Sequence, residues 1–271
     1  MAKLLDQYGR PVELTRLRQV QAEPTLSGVR SILSGHPAQG LTPARLTRLL
    51  HMAEQGDATA YLELAEEMEE KDLHYLSVLG TRKRAVAQLE INVESASDDP
   101  RDVENADLIR DWLGREELED EMFDILDAIG KGFSVTEIIW DMSERQWWPS
   151  RLKRRDQRWF EFDRDNGETL YLKGLSGTED LWPFKYVTHF AAAKSGLPIR
   201  GGLARAAAWA AMAASTPALN PADGERSGRA AMAAAIALSV FPVLMFIIRS
   251  SLSNGCAPGA QPGLYQFPAP E

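Results

Sequence analysis

The 271-residue sequence predicts an α+β fold with a helical N-terminal half, an antiparallel β-rich middle and an atypical Ala-rich C-terminal tail. Before Gly130, apolar residues recur every three or four positions, which is the spacing of helices with one buried face. After Phe133, β-branched and aromatic residues dominate, as they do in strands. Alanine occurs 16 times in residues 1–200 and 19 times in the last 71, a rise from about 8% to about 27%. The tail therefore follows a different pattern from the rest.

These changes divide the chain into three parts. Residues 1–56 form an N-terminal arm with scattered Pro and Gly and one short helix, which begins at Thr42 with Pro43 in its first turn. Residues 57–210 form an α+β domain, and residues 211–271 form the tail. An apolar segment at 230–248 is long enough to span a membrane, although Pro242 interrupts it. A transmembrane anchor, a buried core helix and an apolar segment of accidental origin all remain open.

The domain begins with two predicted helices. Asp57 caps the first, whose acidic run at 63–70 is interpreted as a solvated face, with a metal site as the alternative. Asp72 caps the second, and positions 82–84 supply its polar face. Its predicted buried stripe consists of Leu73, Leu76, Leu79, Val86 and Leu89.

The order of the remaining elements follows from periodicity and turn residues. Ile91 and Val93 alternate with polar residues and predict a short strand. Further helices are expected at about 102–114, with Val103, Ala106, Ile109 and Leu113 inward, and at about 118–130, where glycines end the helix. Strands follow at 133–140, within 147–162, at 170–172 and at 186–190, with a hairpin turn at 166–167 and a last helix at 203–212.

Charge and motifs exclude several classes of function. The formal charge is −9, and the first 200 residues hold 26 basic against 36 acidic groups, so a protein that grips DNA by counterion release is disfavoured. The histidines lack metal-ligand spacing, and neither a nucleophile elbow nor a phosphate-binding loop occurs. The one cysteine and the absence of a signal peptide favour a reducing cytoplasm. The sequence therefore predicts no enzyme, no cofactor and no metal.

Arginines and aromatic residues are interleaved between positions 147 and 160. A solvated strand face, a subunit contact and a nucleic-acid contact are all compatible with this composition. The candidate subunit or partner contacts are Trp147, Trp148, Arg151, Arg154, Arg158 and Trp159.

Strand alternation assigns faces near the end of this stretch. Phe160 and Phe162 share one face and are expected in the core. Trp159 then lies on the less apolar face, where it is expected to act as an interface anchor rather than a core residue.

Four ordered sequence blocks resemble those of portal proteins of Mu-like phages. They are Arg82-Lys83-Arg84-Ala85-Val86, the run Gly132 to Trp140 (GFSVTEIIW), the run Gln157 to Asp163 (QRWFEFD), and Lys194 to Arg205 (KSGLPIRGGLAR) continuing to Trp209. The resemblance covers roughly residues 1–210.

The resemblance implies a structural subunit of a homo-oligomeric ring at one vertex of a phage head. DNA would pass through this ring without sequence-specific binding. The implied partners are terminase, capsid and tail-connector proteins, the implied location is the virion or the host cytoplasm, and no membrane is expected as a partner. A closed ring needs complementary faces on one chain, and the acidic run at 63–70 and the basic stretch at 151–158 are candidates.

From about Ala211 the sequence departs from the family, whose members are roughly twice as long. A reading-frame change or a genomic rearrangement in a decayed prophage would explain the departure, so the chain is interpreted as a truncated or rearranged portal protein. The alternative is a membrane-anchored cytoplasmic domain with its span at 230–248.

Overall fold

The protein is described from a computed structural model, which covers residues 4–143 and 147–215. Its helices lie mainly before residue 132 and its antiparallel strands after it, so the predicted α+β class is confirmed. The helices are α1 (Leu14–Arg18), α2 (Pro43–Glu54), α3 (Thr59–Lys71), α4 (Leu73–Ala87), α5 (Pro100–Leu113), α6 (Leu118–Ile125), α7 (Ala128–Lys131) and α8 (Ala204–Ser215). The strands are β1 (Phe133–Asp141), β2 (Trp148–Arg155), β3 (Phe160–Phe162), β4 (Leu170–Gly174), β5 (Gly177–Asp180) and β6 (Tyr186–Phe190).

Capping residues fix where the first long helices begin. The Thr42 side chain accepts a hydrogen bond from the Arg45 N–H, and Pro43 lies in the first turn of α2. Asp72 accepts hydrogen bonds from the N–H groups of His74 and Tyr75 and so starts α4, as expected. At the start of α3 the Asp57 side chain accepts a hydrogen bond from the Thr59 N–H at 3.2 Å, as expected of a capping residue, while Ala58 immediately precedes the helix and makes no side-chain cap.

Helix α4 buries a different face from the predicted one. Leu79 is buried as expected, but Leu73, Leu76 and Leu89 are exposed, so the predicted apolar stripe is wrong. Lys83, assigned to the polar face, is buried because its Nζ lies 3.1 Å from Asp127 Oδ1. Tyr75, Leu79 and Lys83 form the buried stripe instead, and the partner that holds Lys83 there, Asp127, is 44 residues away in the sequence.

Two three-stranded antiparallel sheets form the middle of the protein. The first has the order β2-β1-β6, and the second has the order β3-β4-β5. Phe133 of the first sheet and Phe162 of the second meet edge to face, with ring centroids 4.9 Å apart. The predicted hairpin joins β3 to β4, and the turn contains Gly167 at φ +67°. The faces of the two sheets and helices α2, α3 and α8 enclose one hydrophobic core.

The segment before α5 differs from the sequence prediction. Ile91 is half exposed and residues 90–96 carry no strand, so the predicted strand at 91–93 is wrong. Val103 and Ile109 of α5 were expected to face inward, yet both are exposed and only Ala106 is buried. Alternation over two apolar residues is too short to specify a strand when no neighbouring strand offers hydrogen bonds.

Two glycine-containing blocks of the sequence pack against each other. Gly132 has φ +103°, and a Cβ there would lie 2.7 Å from Pro198 O. A Cβ at Gly202 would overlap Gly130 O and Gly132 N. Leu203 N–H also donates to Ile129 O at 3.0 Å, and Ala191 N–H donates to Gly132 O at 2.9 Å. Only glycine allows the backbones at 130–132 and 201–202 to approach this closely.

Some predicted features fall beyond what the structure describes. Within residues 4–143 and 147–215, no helix is both long and apolar enough to cross a membrane. The same ranges contain no group of three or more His, Cys, Asp or Glu side chains placed to hold a metal ion. The tail from residue 216, with its apolar segment at 230–248, lies outside the described residues. The division into an arm, a domain and a tail stays a prediction.

Candidate interaction surface

Strand β2 sends the predicted contact residues to opposite faces of the first sheet. Arg154 lies on the face toward Asp127, with which it pairs, and Leu152 shares this face by strand alternation. The Leu152 N–H donates to Glu121 of α6 at the free edge of β2. Arg151, with Lys153 and Arg155, lies on the other face against Val20 and Pro24 of the N-terminal arm. Alternate residues of β2 therefore face either the Asp127 side of the sheet or the N-terminal arm.

Arg154 belongs to a buried charge cluster centred on Asp127. The Asp127 carboxylate lies 3.1 Å from Lys83 Nζ, 2.9 Å from Lys131 Nζ and 3.5 Å from Arg154 Nη2. Gln157 Nε2 also donates to Asp127 at 2.7 Å. The cluster therefore joins α4, α7 and β2 around one carboxylate.

Opposing effects act on the acidity of Asp127. Burial alone would raise its pKa, because a buried charge is poorly solvated. The positive charges of Lys131, Lys83 and Arg154, with the Lys131 hydrogen bond, outweigh burial and hold the pKa of Asp127 well below its ordinary value of 3.8. The carboxylate is therefore ionised throughout the physiological range and carries the cluster's negative charge.

Arg158 is buried and is engaged within its own chain. Its Nη2 lies 2.5 Å from Asp156 Oδ2 and 3.6 Å from Glu66 Oε2, and its Nη1 donates to Leu33 O at 3.1 Å. Glu63 Oε1 lies 3.8 Å from the same guanidinium. At Arg158 the basic stretch thus meets the acidic helix α3 inside one subunit, so this arginine is not free for the expected complementary face.

The acidic run on α3 is also not uniformly solvated. Glu67 is buried: it accepts a hydrogen bond from Ala38 N–H at 2.6 Å and pairs with Lys71. His36 Nδ1 lies 3.6 Å from the same carboxylate. The predicted solvated face is therefore wrong at this position, because the arm folds over it.

Trp159 is a core residue, so the prediction that it occupies an exposed face is wrong. Only 4% of it is accessible, and its Nε1 donates to Ser31 O at 3.1 Å. Residues Gln157–Trp159 form a 3-10 turn, and β3 begins only at Phe160. The strand alternation therefore cannot be extended back to Trp159. The expected burial of Phe160 and Phe162 is confirmed.

The two tryptophans at the start of β2 are half-buried. The ring of Trp147 packs edge to face on Trp140 at 6.1 Å between centroids, and the Arg18 guanidinium lies over it at 5.9 Å. Trp148 pairs with Asp141 across the sheet. Both keep exposed surface and lie near Arg151, which is exposed.

A second buried charge cluster was missed from the sequence. Glu137, on β1, lies 2.8 Å from Arg155 Nε and 3.6 Å from Lys185 Nζ. The N–H of Gln21 donates to the same carboxylate at 2.8 Å, and Lys185 Nζ donates to Leu17 O at 2.8 Å. This cluster attaches the arm to the first sheet. A glutamate in the middle of a mostly buried strand was the signal for it in the sequence.

Comparisons with known proteins agree with the sequence resemblance. A family model described as the portal protein of Mu bacteriophage matches residues 62–217, which is more than half of the 271 residues. The Mu-like prophage FluMu protein gp29 of Haemophilus influenzae is 36% identical over 217 residues, covering 77% of the chain and 41% of that relative. The portal protein of Escherichia phage Mu is 35% identical over 213 residues, with the same coverage of 77% and 41%.

These matches show the class of protein: the chain is similar to phage portal proteins, which are structural components. Within that class, the chain belongs to the family of Mu bacteriophage portal proteins. The family match runs from α3 to residue 217, a few residues beyond the predicted departure at Ala211. The chain spans 41% of the length of the two curated relatives.

Proposed function

We propose that this protein is a structural ring subunit of a Mu-like phage portal, located at the head vertex. The observation that carries the proposal is the family match over residues 62–217, which includes α3 to α8 and both sheets. Its location would be the virion or the host cytoplasm. In this role the chain assembles and positions other components and performs no chemistry.

The surface of the described residues supports association between copies. Leu73 and Leu76 expose apolar side chains on α4 and Leu89 does so just after it, and Leu26 and Leu33 do so on the arm. Apolar surface that a monomer leaves exposed is typical of protein contacts. Trp147, Trp148 and Arg151 remain candidate contacts, whereas Arg154, Arg158 and Trp159 already have partners within the chain.

The proposed partners are other copies of this chain together with terminase, capsid and tail-connector proteins. DNA would pass through the ring without sequence-specific binding, and the net charge of −9 suits a wall that does not retain a polyanion.

Electron microscopy of the purified full chain tests the ring. We expect closed particles with rotational symmetry and a central opening, because a head-to-tail interface that closes generates a ring. Particles of single-subunit size at every concentration tested would contradict the proposal. Retention in the membrane fraction after a high-salt wash would instead favour the alternative of an anchored domain.

We also propose that the sequence after the family match arose from a reading-frame change or a rearrangement in a prophage. The abrupt rise in alanine content supports it. Sequencing the locus across Trp209 tests it: another frame that restores the family's continuation would support the proposal, and an uninterrupted locus without one would count against it.

A further inference from the structure

A cavity between the N-terminal arm and strand β2 carries more positive charge than its own chain neutralises. Its volume is about 520 Å³, and Val20, Glu23 and Pro24 line it on the arm side, with Ile139 and Ser150 from the first sheet. Three cationic side chains, Arg151, Lys153 and Arg155, complete the lining. The cavity is open to solvent where the first two of these cations lie.

The deepest of these cations has an unused donor. Arg155 is 2% accessible, and only its Nε reaches the Glu137 carboxylate, at 2.8 Å. Its buried Nη2 has no hydrogen-bond partner among the described residues. An unpaired buried guanidinium donor costs free energy, and an anion entering the cavity would satisfy it.

The two outer cations are also unpaired within the described chain. Arg151 and Lys153 are exposed, and neither lies within ion-pair distance of a described carboxylate. The lining therefore holds three cations and one carboxylate, that of Glu23, while Glu137 pairs with Arg155. The cavity therefore selects an anionic group.

An acidic segment with no cationic partner lies at the other face of the same sheet. Residues 116–120 include the first turn of α6 (Leu118–Ile125). The last carbonyl of this helix, Ile125 O, accepts a hydrogen bond from the Ser134 side chain, which lies on the face of β1 opposite Ile139 of the cavity. Glu116, Glu117, Glu119 and Asp120 are exposed, and none forms an ion pair within the described residues. Because the acids and the cavity lie on opposite faces of one sheet, they are suited to meet between two copies.

We infer that the cavity binds a carboxylate of segment 116–120 from a neighbouring copy, as one contact of a head-to-tail ring. This inference rests on the proposed function and adds a specific interface to it. A long DNA duplex fits less well, because the cationic surface is a single cavity on a chain of net charge −9. Arg151 and Lys153 would hold the entering carboxylate at the rim, and Arg155 Nη2 would complete its hydrogen bonds.

Charge reversal on each side tests the contact in the full chain. The cavity variant is Arg151→Glu/Lys153→Glu, and the segment variant is Glu117→Lys/Asp120→Lys. Each alone brings like charges together, so we expect self-association measured by sedimentation velocity to weaken at least about 100-fold. The control Arg48→Glu/Arg101→Glu reverses two exposed cations outside the cavity and is expected to assemble like the unaltered protein. Circular dichroism verifies that all variants fold.

Mixing the two variants gives the decisive result. In the mixture each altered cavity meets an altered segment and each natural cavity meets a natural segment, so assembly is expected to return. If both variants assemble like the unaltered protein, or if the mixture of folded variants stays dissociated, the inference is overturned while the ring proposal stands. If the unaltered protein itself never assembles, the proposed function fails as well.

Two further measurements distinguish a carboxylate of a neighbouring copy from a DNA phosphate as the group bound in the cavity. Carbodiimide cross-linking of mixed ¹⁴N and ¹⁵N protein should join Lys153 to segment 116–120 in peptides that carry both isotopes. Cross-links confined to one isotope would contradict a contact between copies. Retention of a short DNA duplex that is lost in the cavity variant, with assembly unchanged, would assign the cavity to phosphate and overturn the inference.

Discussion

At the residue scale, Trp159 illustrates how one turn changes which side chain is buried. The 3-10 turn Gln157–Trp159 rotates the indole into the core, where the carbonyl of Ser31 accepts its N–H. Asp156 initiates this turn by accepting a hydrogen bond from the Arg158 N–H at 2.9 Å. The aspartate is therefore the local signal that strand alternation stops before Phe160.

Trp159→Ala should destabilise the protein as much as Phe160→Ala does. Both side chains are buried, and truncating a buried aromatic residue costs about 3–5 kcal/mol of unfolding free energy. Chemical denaturation measures the loss, and Leu175→Ala, at a site that is 91% exposed, serves as the control with little change. A stable Trp159→Ala variant would contradict the assignment of this tryptophan to the core.

Asp127→Asn should lower stability at neutral pH by about 3–5 kcal/mol, because it leaves buried lysines without their carboxylate. The folded-state pKa of Asp127 is depressed, so the stabilisation by its charge is present above the ordinary value of 3.8 and is lost as the pH falls below it. The difference in stability between the variant and the unaltered protein should therefore shrink as the pH falls from about 5 to about 2. Over this range the aspartate gains its proton in the unfolded state before it does so in the folded state.

Denaturation curves at several pH values measure this difference. Asp165→Asn removes an exposed carboxylate and is the matched control, for which we expect little change at pH 7. A difference for Asp127→Asn that stayed constant down to pH 2 would show that the charge of this aspartate does not stabilise the fold.

At the scale of elements, most strands, the caps and the buried face of α3 were predictable, whereas the faces of α4 and α5 were not. Strand β6 at Tyr186–Phe190 and the caps at Thr42 and Asp72 follow from local sequence, because β-branched residues and capping side chains act over a few positions. The face that α4 buries depends on the distant Asp127, which periodicity does not encode. The Glu137 cluster was missed for the same reason, because its members are far apart in the sequence.

The contact between the two glycine segments is also an element-scale feature, and Gly202→Ala tests it. The added methyl would overlap the backbone at Gly130 and Gly132, so we expect a loss of about 1–3 kcal/mol or more in unfolding free energy. Gly114→Ala is the control, because its Cβ would lie 3.5 Å from the nearest atom at an ordinary φ of −74°. Equal stability of the two variants would argue against a close backbone approach at Gly202.

At the scale of the whole molecule, ion pairs attach the arm to the body while unpaired charges remain on opposite faces of the first sheet. The Asp127 cluster, the Glu137 cluster and Arg158 pair buried charges within the chain. The cationic cavity and segment 116–120 are left for contacts with other molecules. This distribution suits a subunit that folds alone and then associates head to tail.

Native mass spectrometry of the purified full chain tests the central claim, that the protein is a ring subunit, most directly. We expect one dominant assembly whose mass is a whole-number multiple of the 30.1 kDa chain and whose size does not grow with concentration, as a closed ring requires. A 30.1 kDa monomer at every concentration, or an open series of growing oligomers, would contradict it.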